Sequence, residues 1–272
     1  MSKDELMAHA AEQLWRAKQQ NRVCEPIRLL AGEAGFSLAD AYQIQLLNTV
    51  KAQQSGRRIV GHKIGLTSKV VQAQLKVDQP DFGCLFDDMI YADGEDIVLE
   101  HILQPRVEAE IALVLKHDLS HERHTVVDVL NAIDYVLPTI EIVGSRVRDW
   151  DISLVDTVAD NASCGAVVVG SRPIKAEQLD FRRCGMVLTR QGEVVSSGTG
   201  AMCLGNPLIA AVWLANTMVE MGTPLKAGEL ILTGALGAMV SVNEAGVYEA
   251  QIQGLGSVTA SFVASPAEGS RV

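Results

Sequence analysis

The stretch PRVEAEIALVL, residues 105–115, sets Glu108 and Glu110 two apart in an apolar run. In a strand, residues two apart share a face. Both carboxylates then point one way, while Val107, Ala109, Ile111, Leu113 and Leu115 pack the other. Ala112 and Val114 continue the glutamate side with apolar residues, so that side reads as half-buried rather than fully wet. A third acid, Glu141, sits the same way between Ile140 and Ile142 in VLPTIEIVGSR. Burial and like charge both oppose ionisation of clustered carboxylates unless a cation joins them. Three carboxylates on two strands suit a hard divalent ion, Mg²⁺ or Mn²⁺, which prefers oxygen ligands and keeps positions open for water. The pattern alone leaves a second reading open, two strands with one face in solvent, because Glu-x-Glu is not a specific motif.

Other residues invite chemistry and lose it on inspection. His117, His121 and His124 fall in HDLSHERH, a polar connection that reads as a solvated loop. TGALG, residues 233–237, is glycine-rich but lacks the spacing of a dinucleotide or phosphate loop. Cys164 has no histidine base within its motif, so thiol nucleophilic catalysis has little support.

The elements that must position the acids follow from periodicity and punctuation. Leu6, Ala10, Leu14 and Ala17 lie at helical spacing over residues 3–20. A second helix is expected from Ser37, with Asp40 completing a capping box, to about Gln54. Short apolar runs broken by Gly, Asp and Pro then predict strands and loops. Residues 125–136 predict a helix. Residues 206–222 predict another, with Asn206 as N-cap, Pro207 in the first turn and Gly222 past the end. GELILTGALG, GVYEAQIQGLG and SVTASFV predict closing strands. The expected organisation is an N-terminal helical segment over 1–57, a catalytic core over 58–265 and a frayed tail over 266–272.

Composition bounds the function. The chain has 272 residues, 48% hydrophobic and 21% charged, enough to bury a large core. A net charge of −10 without basic runs argues against nucleic acid and anionic membranes as partners. Five scattered cysteines without a CxxC pair argue for reduced thiols and a cytoplasmic setting. The opening MSKDELMAHAAEQLW does not read as a signal peptide, and no stretch approaches about 18 uninterrupted apolar residues.

Several blocks together, GHKIGLTSKVVQAQLKVDQPDFGCLFDDM, LQPRVEAEIALVL, VLPTIEIVGSRVRDWDISLVDTVADNASCG, CLGNPLIAAVWLA and GELILTGALG, closely resemble the 2-hydroxypenta-2,4-dienoate hydratase (2-keto-4-pentenoate hydratase) family of the fumarylacetoacetate hydrolase superfamily. The resemblance runs from about residue 25 to 263. It implies an α+β fold with a mixed β-roll or barrel-like core and flanking helices, assembled as a homo-oligomer, with a pathway enzyme as a further candidate partner. It implies metal-dependent addition of water to a small 2-hydroxy-dienoate in meta-cleavage catabolism of aromatics. Glu108, Glu110 and Glu141 match the family's metal ligands. GHKIGLT and DQPDFG resemble the loop that closes over substrate, carrying Lys63 and Asp81. Ser163 is implied near the substrate carboxylate, and Thr233 and Gly234 as pocket lining.

The chemistry needs a Lewis acid at the 2-oxy-carboxylate end and an acid–base group near C4–C5. Lys63 and Asp81 are the candidates. A surface lysine and a turn aspartate are their ordinary alternatives, Asp78 is a rival in the same turn, and His62 alternates to the other side of the strand from Lys63. A 4-oxalocrotonate-type decarboxylase shares the glutamate triad and is the first alternative. That family is expected to read DSR where this chain has GSR at 144–146. A non-catalytic metal-binding subunit is the second alternative.

Overall fold

The computed structural model describes residues 1–75 and 77–265, so the tail expected over 266–272 lies outside the described residues. Two helices open the chain, α1 (Lys3–Gln19) and α2 (Leu38–Gln54). Each starts on a capping box, Ser2 with Glu5 and Ser37 with Asp40, in which the side chains and backbone N–H groups satisfy one another. Then come β1 (Ile59–Gly65), α3 (Lys69–Leu75), β2 (Asp81–Phe86), β3 (Ile90–Ala92), β4 (Asp96–Val98) and β5 (Arg106–Leu115). The chain continues through α4 (Val126–Ala132), β6 (Ile133–Val143), α5 (Leu154–Ala159), β7 (Cys164–Val169), β8 (Gly185–Arg190) and β9 (Glu193–Thr199). It closes with α6 (Pro207–Glu220), β10 (Leu230–Leu232), β11 (Val240–Ser241), β12 (Gly246–Ile252) and β13 (Gly256–Val263).

The strands form two mixed sheets. The larger runs β2-β1-β10-β5-β6-β7-β3, with β11 also on β5; the smaller runs β4-β13-β12-β8-β9. β1 with β10, β3 with β7 and β4 with β13 are parallel pairs, and the others are antiparallel. This is the α+β architecture that the resemblance implies, mixed sheets with flanking helices.

Alternation along β5 decides where everything else goes. Val107, Ala109, Ile111, Leu113 and Leu115 join the main core together with residues of the smaller sheet, such as Leu188, Tyr248, Ala250, Val258 and Phe262. Ala112 turns the other way and packs with Leu85, Leu137, Cys164, Val167 and Leu232. The glutamates share that second face, beyond Ala112 along β5. The N-terminal helices make a third cluster with α5 and the segment before it: Ala10, Leu14, Ile27, Ala41 and Ile44 against Val147 and Val158.

Gly200–Glu220, which includes α6, is the one described stretch long and apolar enough to cross a membrane by composition. Leu208, Ala211, Leu214, Ala215 and Met218 are buried in the main core instead, as expected of a core helix. Asn206 caps it by accepting from the Leu208 backbone N–H.

Two expectations from the sequence are corrected. The helix expected over 125–136 ends at Ala132, and from Ile133 the chain is strand. Its apolar residues fit a helical stripe, but the eleven-residue strand pairs along the whole of β5, and tertiary pairing overrides local preference. The histidines do not all lie in a solvated loop either. His124 is buried, with Nδ1 3.1 Å from Asn216 Oδ1 and Nε2 accepting from the His121 backbone N–H at 3.1 Å.

A buried carboxylate–lysine centre

The central strand pair builds the site. Antiparallel register puts Glu108 opposite Glu141 and Glu110 opposite Thr139, so three carboxylates meet on one face. One oxygen from each glutamate lies within 4.8 Å of the others. Glu110 and Glu141 are fully buried and Glu108 partly so. Of the two readings left open by the pattern, solvated strand faces are excluded by this burial.

Burial holds all three carboxyls above the usual range. Glu108 is pushed up to about 7 by burial and then by Glu141, against the pull of Lys63 and Arg106. Glu110 is raised by burial, Glu141 and Glu108. Glu141 is raised by burial, with Lys63 opposing. Both Glu141 carboxylate oxygens and Oε1 of Glu110 have no hydrogen-bond partner. A buried polar atom left unpaired costs on the order of 1–3 kcal/mol. Orphaned oxygens converging from three carboxylates are a donor set that fits a hard divalent cation, and the residues present therefore fit the ion expected from the sequence.

Lys63 supplies the local positive charge. It is buried on β1, with Nζ 3.3 Å from Glu141 Oε1 and donating to the Ala162 carbonyl at 2.9 Å. Burial pulls its pKa down, but Glu141 and Asp81 outweigh that and keep it charged. Asp81 lies across the strand pair, opposite Gly65. A Cβ on Gly65 would sit 2.2 Å from Asp81 Oδ1 and 3.2 Å from Lys63 Nζ. The glycine is what lets the two side chains close over that spot. Asp81 is buried, its Oδ1 has no partner, and burial raises its pKa against the pull of Lys63.

The structure corrects the placement of this pair. Lys63 and Asp81 are not carried on a closing loop. They stand on paired strands, and residues 66–80 between them form the connection. Sheet pairing fixes their spacing as a loop could not. Asp78, the rival, is exposed in that connection. His62 points away from Lys63, with Nδ1 3.6 Å from Glu229 Oε2.

The remaining candidates divide. Gly234 donates its backbone N–H to Glu110 Oε2 at 2.8 Å. Its φ of +111° suits glycine, and a Cβ there would strike Thr67 at 2.3 Å. Thr233 donates its hydroxyl to the Ile111 carbonyl at 2.9 Å. These two residues support the carboxylates, because β10 stops at Leu232 and the chain bends over Glu110. Ser163 is buried and shares a hydrogen bond with Thr157 at 3.1 Å between the two hydroxyls.

Sequence reasoning missed the turn that holds Lys63. Asn161, Ala162 and Ser163 all have positive φ, at 55°, 49° and 55°, a sparsely populated conformation for three successive non-glycine residues. The Asn161 side chain fixes the turn to β2: its Oδ1 accepts from Cys84 N at 2.8 Å and its Nδ2 donates to Cys84 O at 2.9 Å. Only the asparagine, a residue tolerant of this region, could have hinted at it. Cys164 follows, buried beside Glu141, and burial with that carboxylate pushes its thiol pKa up.

Fold and site together define an α+β protein built around a buried cation centre with an adjacent lysine and aspartate. Residues 51–263 match the family of the fumarylacetoacetate (FAA) hydrolase C-terminal domain. The chain is 53% identical over 262 residues to 2-keto-4-pentenoate hydratase from Burkholderia vietnamiensis (strain G4 / LMG 22486), covering 96% of this chain and 99% of that one. It is 40% identical to 2-hydroxyhexa-2,4-dienoate hydratase from Comamonas testosteroni, over 96% of this chain and 99% of that one. Among solved structures it is similar to 4-oxalocrotonate decarboxylase from Pseudomonas putida G7, complexed with magnesium and adipate, at TM-score 0.90 and 35% identity, covering 97% and 99% of the two chains. The chain belongs to the fumarylacetoacetate hydrolase family, within its 2-keto-4-pentenoate hydratase group.

Proposed function

We propose that this hydro-lyase adds water to 2-hydroxypenta-2,4-dienoate, giving 4-hydroxy-2-oxopentanoate in meta-cleavage catabolism of aromatics. The observation that carries the reading is the convergence of three glutamates, two of them fully buried and with orphaned oxygens, beside buried Lys63, ion-paired to Glu141, and buried Asp81. The names of relatives at 53% and 40% identity support the reaction class.

Glu108, Glu110 and Glu141 would hold Mg²⁺ or Mn²⁺. When bound, the ion supplies Lewis-acid stabilisation at the 2-oxy-carboxylate end of the substrate. The chain's own residues do the rest. Gly234 N–H and the Thr233 turn hold Glu110 in place. Lys63, charged and anchored by the Ala162 carbonyl, stabilises anionic oxygen. Asp81, with its pKa raised by burial, carries the proton at C5 and orients the water that adds at C4. Ser163 lies on the turn that ends beside this pair and is assigned to the substrate carboxylate. The unpaired cysteines support a reducing, cytoplasmic setting. Leu46, Leu47 and Val50, exposed along α2, support association of copies into a homo-oligomer.

The decarboxylase reading keeps one observation in its favour, the TM-score of 0.90 to 4-oxalocrotonate decarboxylase. One assay separates the two. Loss of the dienoate absorbance is followed with and without Mg²⁺, and carbon dioxide release from 4-oxalocrotonate is measured on the same sample. Metal-dependent dienoate loss without carbon dioxide release is expected. Carbon dioxide release as the faster reaction would replace the hydratase reading by the decarboxylase one, and absence of both reactions would leave a non-catalytic metal-binding subunit.

A further inference from the structure

Gln45 lies on α2, ahead of the family match, which begins at residue 51. It is buried, at 5% exposure, and a buried side-chain amide needs partners. Its Nε2 donates twice, to the Phe82 carbonyl at 3.0 Å and to the Val158 carbonyl at 2.9 Å. One side chain therefore ties β2 to α5.

Each end of that tie leads to a group of the site. β2 is an edge strand of the larger sheet, with β1 on one side only. On its outer side two side-chain amides take the place of a strand: Asn161 bonds the backbone N–H and carbonyl of Cys84, and Gln45 the carbonyl of Phe82. Asp81 is the first residue of β2 and Phe82 the next. One turn before Gln45 on the same helix face, the Tyr42 ring stacks on Phe82, with centroids 4.7 Å apart and planes 17° from parallel. α5 ends at Ala159, just past Val158, and the chain then enters the turn whose Ala162 carbonyl accepts from Lys63.

We propose that Gln45 is a positioning residue for the reaction: it sets the strand that carries Asp81 against the helix that leads to the anchor of Lys63, and so fixes the two groups relative to each other. The inference rests on the roles given to Lys63 and Asp81 in the proposed function. It makes α2 part of the active unit rather than an appendage to it. Displacing a reacting group by about 1 Å costs on the order of 10²-fold in rate, and an edge strand released on its outer side is where such a displacement arises.

The test compares Gln45→Met, which keeps the length of the side chain but has no donor, with Thr49→Val, one turn further along α2. Thr49 is buried and donates its hydroxyl to the Gln45 carbonyl at 3.0 Å, so its change loosens the same helix without touching Phe82 or Val158. kcat and KM are measured with saturating Mg²⁺ on the reaction the wild type performs, dienoate hydration or carbon dioxide release from 4-oxalocrotonate. Gln45→Met is expected to lower kcat at least about tenfold, with KM moving less and Mg²⁺ affinity by calorimetry unchanged. Without substrate, amide exchange should speed up in residues 81–84 and 160–164 together. Gln45→Asn, one methylene too short to reach both carbonyls, should shift the same way and replaces Gln45→Met if that variant does not fold. Thr49→Val should keep the wild-type kcat. A folded Gln45→Met or Gln45→Asn with wild-type kcat, an equal loss of kcat in Thr49→Val, or a fall in Mg²⁺ affinity matching that in kcat overturns the proposal. A wild type with neither activity overturns the proposed function, and this inference with it.

Discussion

Arg146 with Asp160, and Glu108 with Glu110 and Glu141, are both buried charged groups, yet only the first set is complete. Arg146 donates its backbone N–H to Asp160 Oδ2 at 2.9 Å, its Nε to Asp160 Oδ1, one Nη to the Cys164 carbonyl at 3.0 Å and the other to the Asp160 carbonyl. Asp160 has a cation and three donors. The glutamate cluster has one lysine for three carboxylates and leaves three oxygens without a hydrogen bond. Folding alone gains nothing from such an arrangement, because uncompensated buried charge is costly. A complete buried pair is architecture, and an incomplete one is a seat for something the chain does not itself supply. The completed pair has a local task, since it clamps the two ends of the turn from Asp160 to Cys164 that carries the anchor of Lys63.

The comparison breaks most readily at the glutamates. Glu141→Gln and Glu110→Gln should each lose at least about 10²-fold in Mg²⁺ affinity, beyond the effect usual for outer partners of a metal ligand, and lose most turnover. The fold should hold or gain stability, because removing one acid relieves repulsion among the rest. Calorimetry with Mg²⁺ and thermal unfolding of the metal-free variants read both. Wild-type turnover at low metal in these two variants would end the triad assignment.

Lys63→Met and Asp81→Asn should bind Mg²⁺ as wild type does and lose roughly 10²–10⁴-fold in kcat, the range for a positioned acid or base, with KM moving less. Exchange of the C5 proton with deuterated solvent separates the steps. Asp81→Asn is expected to impair water addition at least as much as exchange, and Lys63→Arg to keep part of the activity. Asp78→Asn, changed in an exposed position, should be near wild type. The reverse result would move the acid–base role into the connection.

Asp160→Asn tests the completed pair from the other side. It leaves Arg146 buried without a counter-charge, so stability should fall by ~3–5 kcal/mol while Mg²⁺ affinity per folded molecule stays unchanged. Denaturant midpoints and calorimetry on the same preparation check this. A stable variant that has lost its metal would mean that the pair belongs to the cation centre.

A pH dependence should mark the incomplete cluster. Glu108 has a folded-state pKa of about 7, above its ordinary 4.5. The folded state then binds more protons than the unfolded one between those values, and stability falls as pH rises from about 4.5 to 7. In metal-free protein the fall should be ~1–3 kcal/mol, smaller in Glu108→Gln and removed by saturating Mg²⁺. Urea unfolding at pH 5 and 7.5 measures it. A profile unchanged by Glu108→Gln would show that the carboxylate carries no such penalty.

Much of this was legible in the chain because the relevant signals are local. Alternation in PRVEAEIALVL put both glutamates on one face, the cap at Ser37 and the Asn206–Pro207 start fixed two helices, and Glu141 announced itself by the same pattern. What was not legible depends on pairing at a distance. Nothing within residues 61–81 says that Lys63 and Asp81 stand diagonally across one antiparallel strand pair. Nothing in TGALG says that a backbone N–H turns to Glu110. The change from helix to strand at Ile133 is decided by β5, some twenty residues earlier. A left-handed turn at Asn161–Ser163 carries almost no composition signal, since alanine and serine do not favour it.

That turn gives the smallest and finest test, because it belongs partly to each set. Its ends are clamped by Arg146, and its middle carbonyl serves Lys63. Ala162 at φ +49° costs roughly 1–2 kcal/mol relative to a right-handed residue. Ala162→Gly removes that cost but loosens the unfolded chain by about 0.5–1 kcal/mol. Net stability should therefore rise by about 1 kcal/mol or less, and kcat should stay within about threefold, because the carbonyl that accepts from Lys63 is backbone and remains. Asn161→Ala removes two side-chain hydrogen bonds to Cys84 and should cost about 1–3 kcal/mol. It should also lower kcat more than Ala162→Gly does, since the turn loses its tie to β2 and Lys63 loses a fixed anchor. Unfolding midpoints and kcat for the two variants decide between the roles. If Asn161→Ala lowers stability and leaves kcat untouched, the turn is architecture like the pair that clamps it, and Lys63 is held by Glu141 and Asp81 alone.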